Sequence, residues 1–248
     1  MPVFKIALVA LFLAVMAHPA SADDGALTPG QKQAVKDVVR EYLRDNPEVL
    51  VDAIRALQTK QEAKDSERAK ANLSSIRGEL ENDPSSPVAG NPKGDITIVE
   101  FFDYRCGFCK KALPTVLELL KADGNIRYVL REYPILGEES RIAAQAALAA
   151  WGIDKEKYMS FHAALMSSKG SLGESRIFTI AAESGVDVAK LRVAMKDASI
   201  EKMLKRNYEL AETLGISGTP AFIIGNNVSP GFMSLEAMQK AVAEARKG

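Results

Sequence analysis

The spacing of apolar positions changes several times along the chain, and each change marks an element. Residues 96–102 form a continuous apolar run rich in β-branched and aromatic side chains, which predicts a buried strand. Directly after it, residues 110–121 carry Leu113, Val116, Leu117 and Leu120 at helical spacing. A second strand is expected at 126–132, followed by Tyr133-Pro134. From 138 to 214 the pattern is helical almost throughout, in segments 138–151, 155–167, 174–184, 188–198 and 200–214, parted by glycine, serine or aspartate. Pro220 then opens a short apolar strand at 221–225, Asn226-Asn227 reads as a turn, and 228–232 as a last strand. Ser234 is the expected N-cap of a closing helix that runs to Arg246. The order is strand, helix, strand, helical block, strand, strand, helix, an α/β arrangement with no internal repeat.

The amino-terminal part reads differently. Residues 27–71 are charged, free of glycine after Gly30, and helical in pattern. Thr28 is a plausible N-cap with Pro29 behind it, and Val35, Val38, Val39, Tyr42 and Leu43 form one apolar face. Asn46-Pro47-Glu48 reads as a stop and restart, with a capping residue, a proline at the first helical position and an acid in the first turn. The second helix carries Val49, Leu50, Ala53, Ile54 and Leu57. Beyond Gln58 its pattern thins, with Leu73 and Ile76 later. A helix from Pro47 to about Arg77 would be roughly 45 Å long. It has too few apolar positions to be buried all round. Those it has concentrate in its first half, so an oligomerisation stalk is preferred to a helix lying wholly on its own domain. The heptad pattern is too short to set the copy number. Residues 78–95 hold Asn82-Asp83-Pro84-Ser85-Ser86-Pro87 and Gly90-Asn91-Pro92-Lys93-Gly94-Asp95, so they are expected to be a semi-rigid linker. The domain boundary is placed near residue 83, giving a stalk and linker at 23–82 and a second domain at 83–248.

Residues 1–22 are read as a secretory signal peptide. Lys5 supplies a small positive region, 6–17 are almost wholly apolar and too short to span a bilayer comfortably, and Ala20-Ser21-Ala22 fits a cleavage site. An uncleaved anchor helix is the alternative. No cysteine lies at the cleavage site, so a lipid anchor is not indicated. The 248 residues carry zero formal net charge and no basic block, which argues against nucleic acid as a partner. Export would place the protein in an oxidising compartment.

That compartment gives meaning to the only two cysteines, Cys106 and Cys109, which sit where the 96–102 strand feeds a helix. The first cysteine of a helix meets unpaired backbone N–H groups and the positive end of the helix dipole. Both favour the thiolate, and a cysteine so placed can titrate at roughly 3.5–7.5 instead of about 8.5. Cys106 is the candidate nucleophile, and Arg105, Lys110 and Lys111 are close enough in sequence to add positive potential. One helical turn separates Cys109 from Cys106 by about 5–6 Å between Cα atoms, within disulfide range. Cys106 can therefore attack a disulfide, and Cys109 can resolve the mixed disulfide. Half of a zinc site and a structural disulfide remain as alternatives. Zinc usually takes four Cys or His ligands, and without the leader the only histidine is His162. A disulfide closing so short a loop removes little unfolded-chain entropy.

Glu100-Phe101-Phe102-Asp103-Tyr104-Arg105-Cys106-Gly107-Phe108-Cys109-Lys110, with Gly218-Thr219-Pro220-Ala221-Phe222 downstream, resembles the DsbA-type thioredoxin-fold oxidoreductases. The resemblance runs from about residue 87 to the end. It implies a thioredoxin-like fold with an inserted helical domain at about 138–214, preceded here by the helical stalk. The stretch Tyr42-Leu43-Arg44-Asp45-Asn46-Pro47-Glu48-Val49-Leu50 is similar to the arm of ScsC-like proteins, the suppressor-of-copper-sensitivity branch, in which it is a trimerisation element and activity leans to disulfide isomerisation. By resemblance, Pro220 matches the cis-proline facing the active-site disulfide. It would leave the Thr219 backbone free to pair with an extended substrate. Glu100 matches a buried acid that exchanges a proton with Cys109. Phe108 stands where strongly oxidising members have histidine, and a phenyl ring offers a thiolate neither a hydrogen bond nor a charge. A potential more reducing than the strongest oxidants, near −120 mV, is expected. His162 is read as a partly buried helix residue.

The expected function is a periplasmic thiol–disulfide oxidoreductase that needs no cofactor, with isomerase ranked above DsbA-like dithiol oxidase. Its expected partners are misfolded or reduced secreted proteins, a membrane thiol reductase of the DsbD or ScsB kind, and further copies of itself, three being favoured. A second class is a copper-tolerance protein binding Cu(I) through Cys106 and Cys109, since paired thiolates suit that ion.

Overall fold

A computed structural model describes residues 27–247, so the expected signal peptide lies outside the described residues. The chain forms two compact units, Met1–Leu57 and Gln58–Gly248.

The described part of the first unit is α1 (Pro29–Asp45) and the start of α2 (Glu48–Asn82). Thr28 caps α1: its hydroxyl accepts from the Gln31 N–H while the Gln31 side chain accepts from the Thr28 N–H. None of the residues of α1 is buried. Val35, Val38, Val39 and Tyr42, then Leu50, Ile54 and Leu57 of α2, all stand exposed.

In the second unit a five-stranded sheet has the order β1-β3-β2-β4-β5. The strands are β1 (Val88–Gly90), β2 (Ile96–Phe102), β3 (Ile126–Glu132), β4 (Ala221–Ile224) and β5 (Asn227–Pro230). β2 and β3 are parallel, joined through α3 (Gly107–Ala122), and the other pairings are antiparallel. The helical block holds α4 (Glu138–Ile153), α5 (Lys155–Ser167), α6 (Glu174–Glu183), α7 (Val188–Ala194) and α8 (Ala198–Thr213), and α9 (Leu235–Ala245) closes the chain. Alternation along β2 divides the core in two. Ile98 and Phe102 face a larger cluster with α3, α9 and the helical block, whereas Val99 and Phe101 face a smaller one with the ends of α2 and α8.

That second cluster revises the expected linker. α2 runs through Gly78 to Asn82, and Leu73 and Leu80 are fully buried against the sheet. Arg131 of β3, itself buried, donates from Nη2 to the Glu79 and Leu80 carbonyls at 2.6 and 2.7 Å and from Nη1 to Asp83 Oδ2 at 3.1 Å. A cation there satisfies the orphan carbonyls and the negative end of α2. The break near residue 83 is thus a turn within the second unit, and β1 follows it inside the stretch read as linker. Among the described residues no helix is long and apolar enough to cross a membrane.

Candidate active site

β2 carries the chain to the site and ends at Phe102. Asp103-Tyr104-Arg105 then turns it into α3, with Cys106 as N-cap. The Cys106 N–H donates to the Asp103 carbonyl at 3.1 Å, and the Cys106 carbonyl accepts from the Lys110 N–H at 3.0 Å, so the cysteine closes one motif and opens the next. The Asp103 carboxylate is buried and fixes this turn. It accepts from the Arg105 N–H at 2.7 Å, the Leu136 N–H at 3.0 Å and the Ser140 hydroxyl at 2.8 Å. Its charge is met by three donors from two segments, which is the condition for keeping a carboxylate out of water.

The two thiols have unequal surroundings. Cys106 is 8% exposed and Cys109 1%, and both are free thiols. Cys106 Sγ donates to the Thr219 carbonyl at 3.1 Å, across 113 positions of sequence. The Thr219–Pro220 peptide is cis. Burial, and after it the nearby Glu100, push the Cys109 thiol far up from its ordinary range, so it holds its proton at neutral pH. Phe108 between them is 63% exposed, a free apolar ring beside Cys106.

Glu100 lies under the cysteines. It pairs in register with Leu130 of β3 and Phe222 of β4, which encloses it on both sides. Tyr128 OH donates to its Oε2. Burial first, and then the charge of Cys106, raise the Glu100 carboxyl from 4.5 to about 8. A carboxyl that titrates near neutrality beside a buried protonated thiol can accept that thiol's proton.

The basic residues expected to add positive potential have other partners. Arg105 Nε lies 3.2 Å from Glu139 Oε2, Lys110 Nζ donates to the Ser168 carbonyl, and Lys111 Nζ sits 4.7 Å from the centre of the Phe232 ring. His162 is buried more completely than its sequence setting indicated. It stacks on Tyr158, meets Phe102 and Tyr104 edge-on, and its Nδ1 lies 3.0 Å from Tyr104 OH. Burial lowers it to about 3, so it is neutral. Tyr104 OH and Tyr158 OH also reach Glu132 Oε1 at 3.2 and 3.3 Å, and burial holds that carboxyl protonated as well.

The structure therefore brings Cys106, Cys109, Glu100, Thr219 and Pro220 to one place. Sequence reasoning missed Asp103 and Tyr128. Tyr128 was within reach, because period two along β3 puts it on the face of the sheet that Glu100 occupies on the paired strand. Asp103 gave little signal, since two of its three donors, Leu136 and Ser140, come from a distant segment. Among the described residues no group of three or more His, Cys, Asp or Glu side chains is arranged to hold a metal ion.

Residues 81–244 match the Thioredoxin family, and residues 31–64 match the copper resistance protein ScsC N-terminal domain. A thioredoxin-like oxidoreductase from Silicibacter pomeroyi is 45% identical in sequence, with 69% of this chain and 98% of that one covered at a TM-score of 0.67. The thiol-disulfide exchange protein alpha-DsbA2 from Wolbachia pipientis is 35% identical, with 73% and 97% covered at 0.69. ScsC of Proteus mirabilis in a transitional conformation is 32% identical, with 89% and 97% covered at 0.66. The chain spans about a quarter of the length of the first curated relatives it matches, Na(+)/H(+) antiporters of Salinispora species; for the one from Salinispora arenicola, identity is 30% over 163 residues, 65% of this chain and 25% of that one.

Proposed function

The chain belongs to the thioredoxin family, alongside its DsbA- and ScsC-like members, and on that premise we propose that it is a periplasmic thiol–disulfide oxidoreductase acting chiefly as a protein disulfide isomerase. Cys106 attacks a substrate disulfide from the N-terminus of α3, forming a mixed disulfide and releasing one substrate thiolate. From there two exits exist. Another substrate thiolate can attack the mixed disulfide, which restores Cys106 and leaves the substrate with a different pairing and no net change in electrons. Alternatively Cys109 gives its proton to Glu100 and attacks Cys106, which leaves a Cys106–Cys109 disulfide and a reduced substrate. A thiol reductase must then reset the enzyme.

The observation that carries the isomerase reading is the burial of Cys109 beside Glu100. A resolving thiol held protonated gives the mixed disulfide time to be reshuffled by the substrate's own thiols. Phe108 supports it, because an exposed phenyl ring gives no hydrogen bond to stabilise the reduced site in the manner of a strong oxidant. The exposed apolar residues of α1 and early α2 support a homo-oligomer, three copies being the number the ScsC resemblance implies. Copper(I) bound by Cys106 and Cys109 is the weaker reading: Cys109 is buried behind Cys106, and the ion would have to displace the proton that burial holds on it.

The test is recovery of activity from a substrate with scrambled disulfides, using the mature chain and a form lacking residues 23–57, with solution mass taken on both. Unscrambling by an oligomeric full chain, lost or weakened in a smaller truncated form, is expected. A full chain that oxidises dithiols yet leaves the scrambled substrate untouched is an oxidase.

A further inference from the structure

The parallel register of β2 and β3 sets Glu100 opposite Leu130 and Ile98 opposite Tyr128. Side chains two positions apart point to one face, so Tyr128 and Glu132 flank Glu100 diagonally on the face of the sheet that packs against the cysteines. A diagonal neighbour is within reach of a long aromatic side chain. Tyr128 is buried, and its hydroxyl donates to Glu100 Oε2. Among the described residues this is the one side-chain hydrogen bond that either residue makes, and Glu100 Oε1 has none. A buried hydroxyl and a buried carboxyl each cost free energy when unpaired. Pairing offsets that cost, yet two apolar side chains of the same shape would fill the core without incurring it. The polar pair therefore calls for a role beyond packing.

The surroundings of Glu100 decide what can attend a proton transfer there. The titratable groups that face it are Cys106 and Cys109 from α3, Tyr128 and Glu132 from β3, and Tyr158 from α5, while β4 sets Phe222 opposite it. Burial holds the protons on Glu132, Tyr158 and Cys109. The transfer takes place in the mixed disulfide, where the Cys106 sulfur is bonded and carries no charge. What remains to meet the carboxylate is the Tyr128 hydroxyl. Its bond to Oε2 is stronger when the acid is ionised, as hydrogen bonds to ions are. It also leaves Oε1 as the oxygen open to the Cys109 proton.

We infer that Tyr128 is a positioning residue for resolution of the mixed disulfide, its hydroxyl holding Glu100 with one oxygen bound and the other free to receive the Cys109 proton; this rests on the disulfide-exchange reading above. The step balances within the site. The Cys109 S–H bond breaks as an O–H bond forms on Glu100. The Cys109 sulfur bonds to that of Cys106, and the bond from Cys106 to the substrate breaks, its electron pair leaving on the substrate thiolate. Tyr128 keeps its own proton throughout and acts through Glu100 alone. Phenylalanine at this position keeps the ring and its packing and removes the donor, which separates the role from the core.

The test joins a fluorescent peptide by a disulfide to thionitrobenzoate and mixes it with one equivalent of the reduced mature chain. Thionitrobenzoate leaves when Cys106 attacks, and the peptide leaves when Cys109 resolves, so a single turnover yields both rates. Tyr128→Phe is expected to lower the ratio of the second rate to the first by about tenfold at pH 7, because the carboxylate has lost a charge-assisted hydrogen bond. The midpoint of the pH profile of peptide release should lie about one pH unit higher, since the acid then ionises less readily. Glu100→Gln should lower the ratio by itself, and adding Tyr128→Phe to it should change the ratio no further, because the hydroxyl then has no acid to hold. A ratio and a midpoint both unchanged in Tyr128→Phe would overturn the inference. So would a further tenfold loss in the double variant, which would make the role of Tyr128 structural. Failure of the unaltered chain to release thionitrobenzoate would sink the exchange reading itself, which keeps the two failures distinct.

Discussion

Glu100→Gln separates the stability cost of the buried acid from its use. In the reduced protein the carboxyl is raised from 4.5 to about 8, by burial and then by Cys106. Below pH 4.5 it is protonated in the folded and the unfolded chain alike. Between 4.5 and about 8 the unfolded chain has released this proton and the folded chain retains it, so stability falls as pH rises. At 1.36 kcal/mol for each tenfold change in proton affinity, the loss is about 1 kcal/mol at pH 5, about 3 at pH 7 and about 4 at pH 8. Glutamine has a similar shape, can still accept from Tyr128 OH, and does not ionise. The variant should therefore be more stable than the unaltered reduced chain by about 3 kcal/mol at pH 7, with the gap widening toward pH 8. It should also resolve mixed disulfides more slowly, by about 100-fold, because on the proposed mechanism Cys109 loses the carboxyl that takes its proton. Urea unfolding of both reduced proteins at pH 5, 7 and 8 reads the first effect, and single-turnover release of a bound peptide reads the second. A gap that stays constant with pH would refute the raised titration of Glu100. An unchanged release rate would remove it from the proton path.

Three further substitutions probe the cysteine pair and the second core. Cys109→Ser should accumulate mixed disulfides, seen as high-mass bands that vanish with dithiothreitol, and Cys106→Ser should form none; trapping by Cys106→Ser would reverse the two roles. Leu80→Ala should destabilise the second unit by about 3 kcal/mol, because the side chain is fully buried against the sheet, and lower Tm by roughly 10 °C. A Tm that stays put would mean that the end of α2 contributes nothing to that core.

The buried polar groups around the site divide by what they can do. Glu132, Tyr104, Tyr158 and His162 form a neutral cluster that ties the turn before Cys106 to β3 and α5. Asp103 ties the same turn to the start of α4 through Ser140. Both arrangements hold the N-terminus of α3 in place from the side of the helical block. Rigid support of this kind keeps a reacting sulfur in a fixed position relative to the Thr219 carbonyl.

Much of this protein was legible one segment at a time. The strands at 96–102 and 126–132, the five helices of the block, the cap at Thr28 and the position of Cys106 at a helix start all follow from spacing and local capping, which act over a few residues. The family motifs placed Glu100 and Thr219 with the cysteines before any geometry did. Other features depended on the assembled sheet. β1 has only three residues, too few to show a period, and it forms because the edge of β3 accepts it. Gly78 read as a break, yet α2 continues through it because Leu73 and Leu80 gain burial and Arg131 satisfies the helix end, which together outweigh glycine's cost of about 1 kcal/mol. The Tyr128 hydrogen bond and two of the three Asp103 donors likewise exist only after segments far apart in sequence have met. Local pattern specifies which face of an element is apolar; what that face and its polar neighbours touch is decided by packing, and here packing set the properties of Cys109 and Glu100.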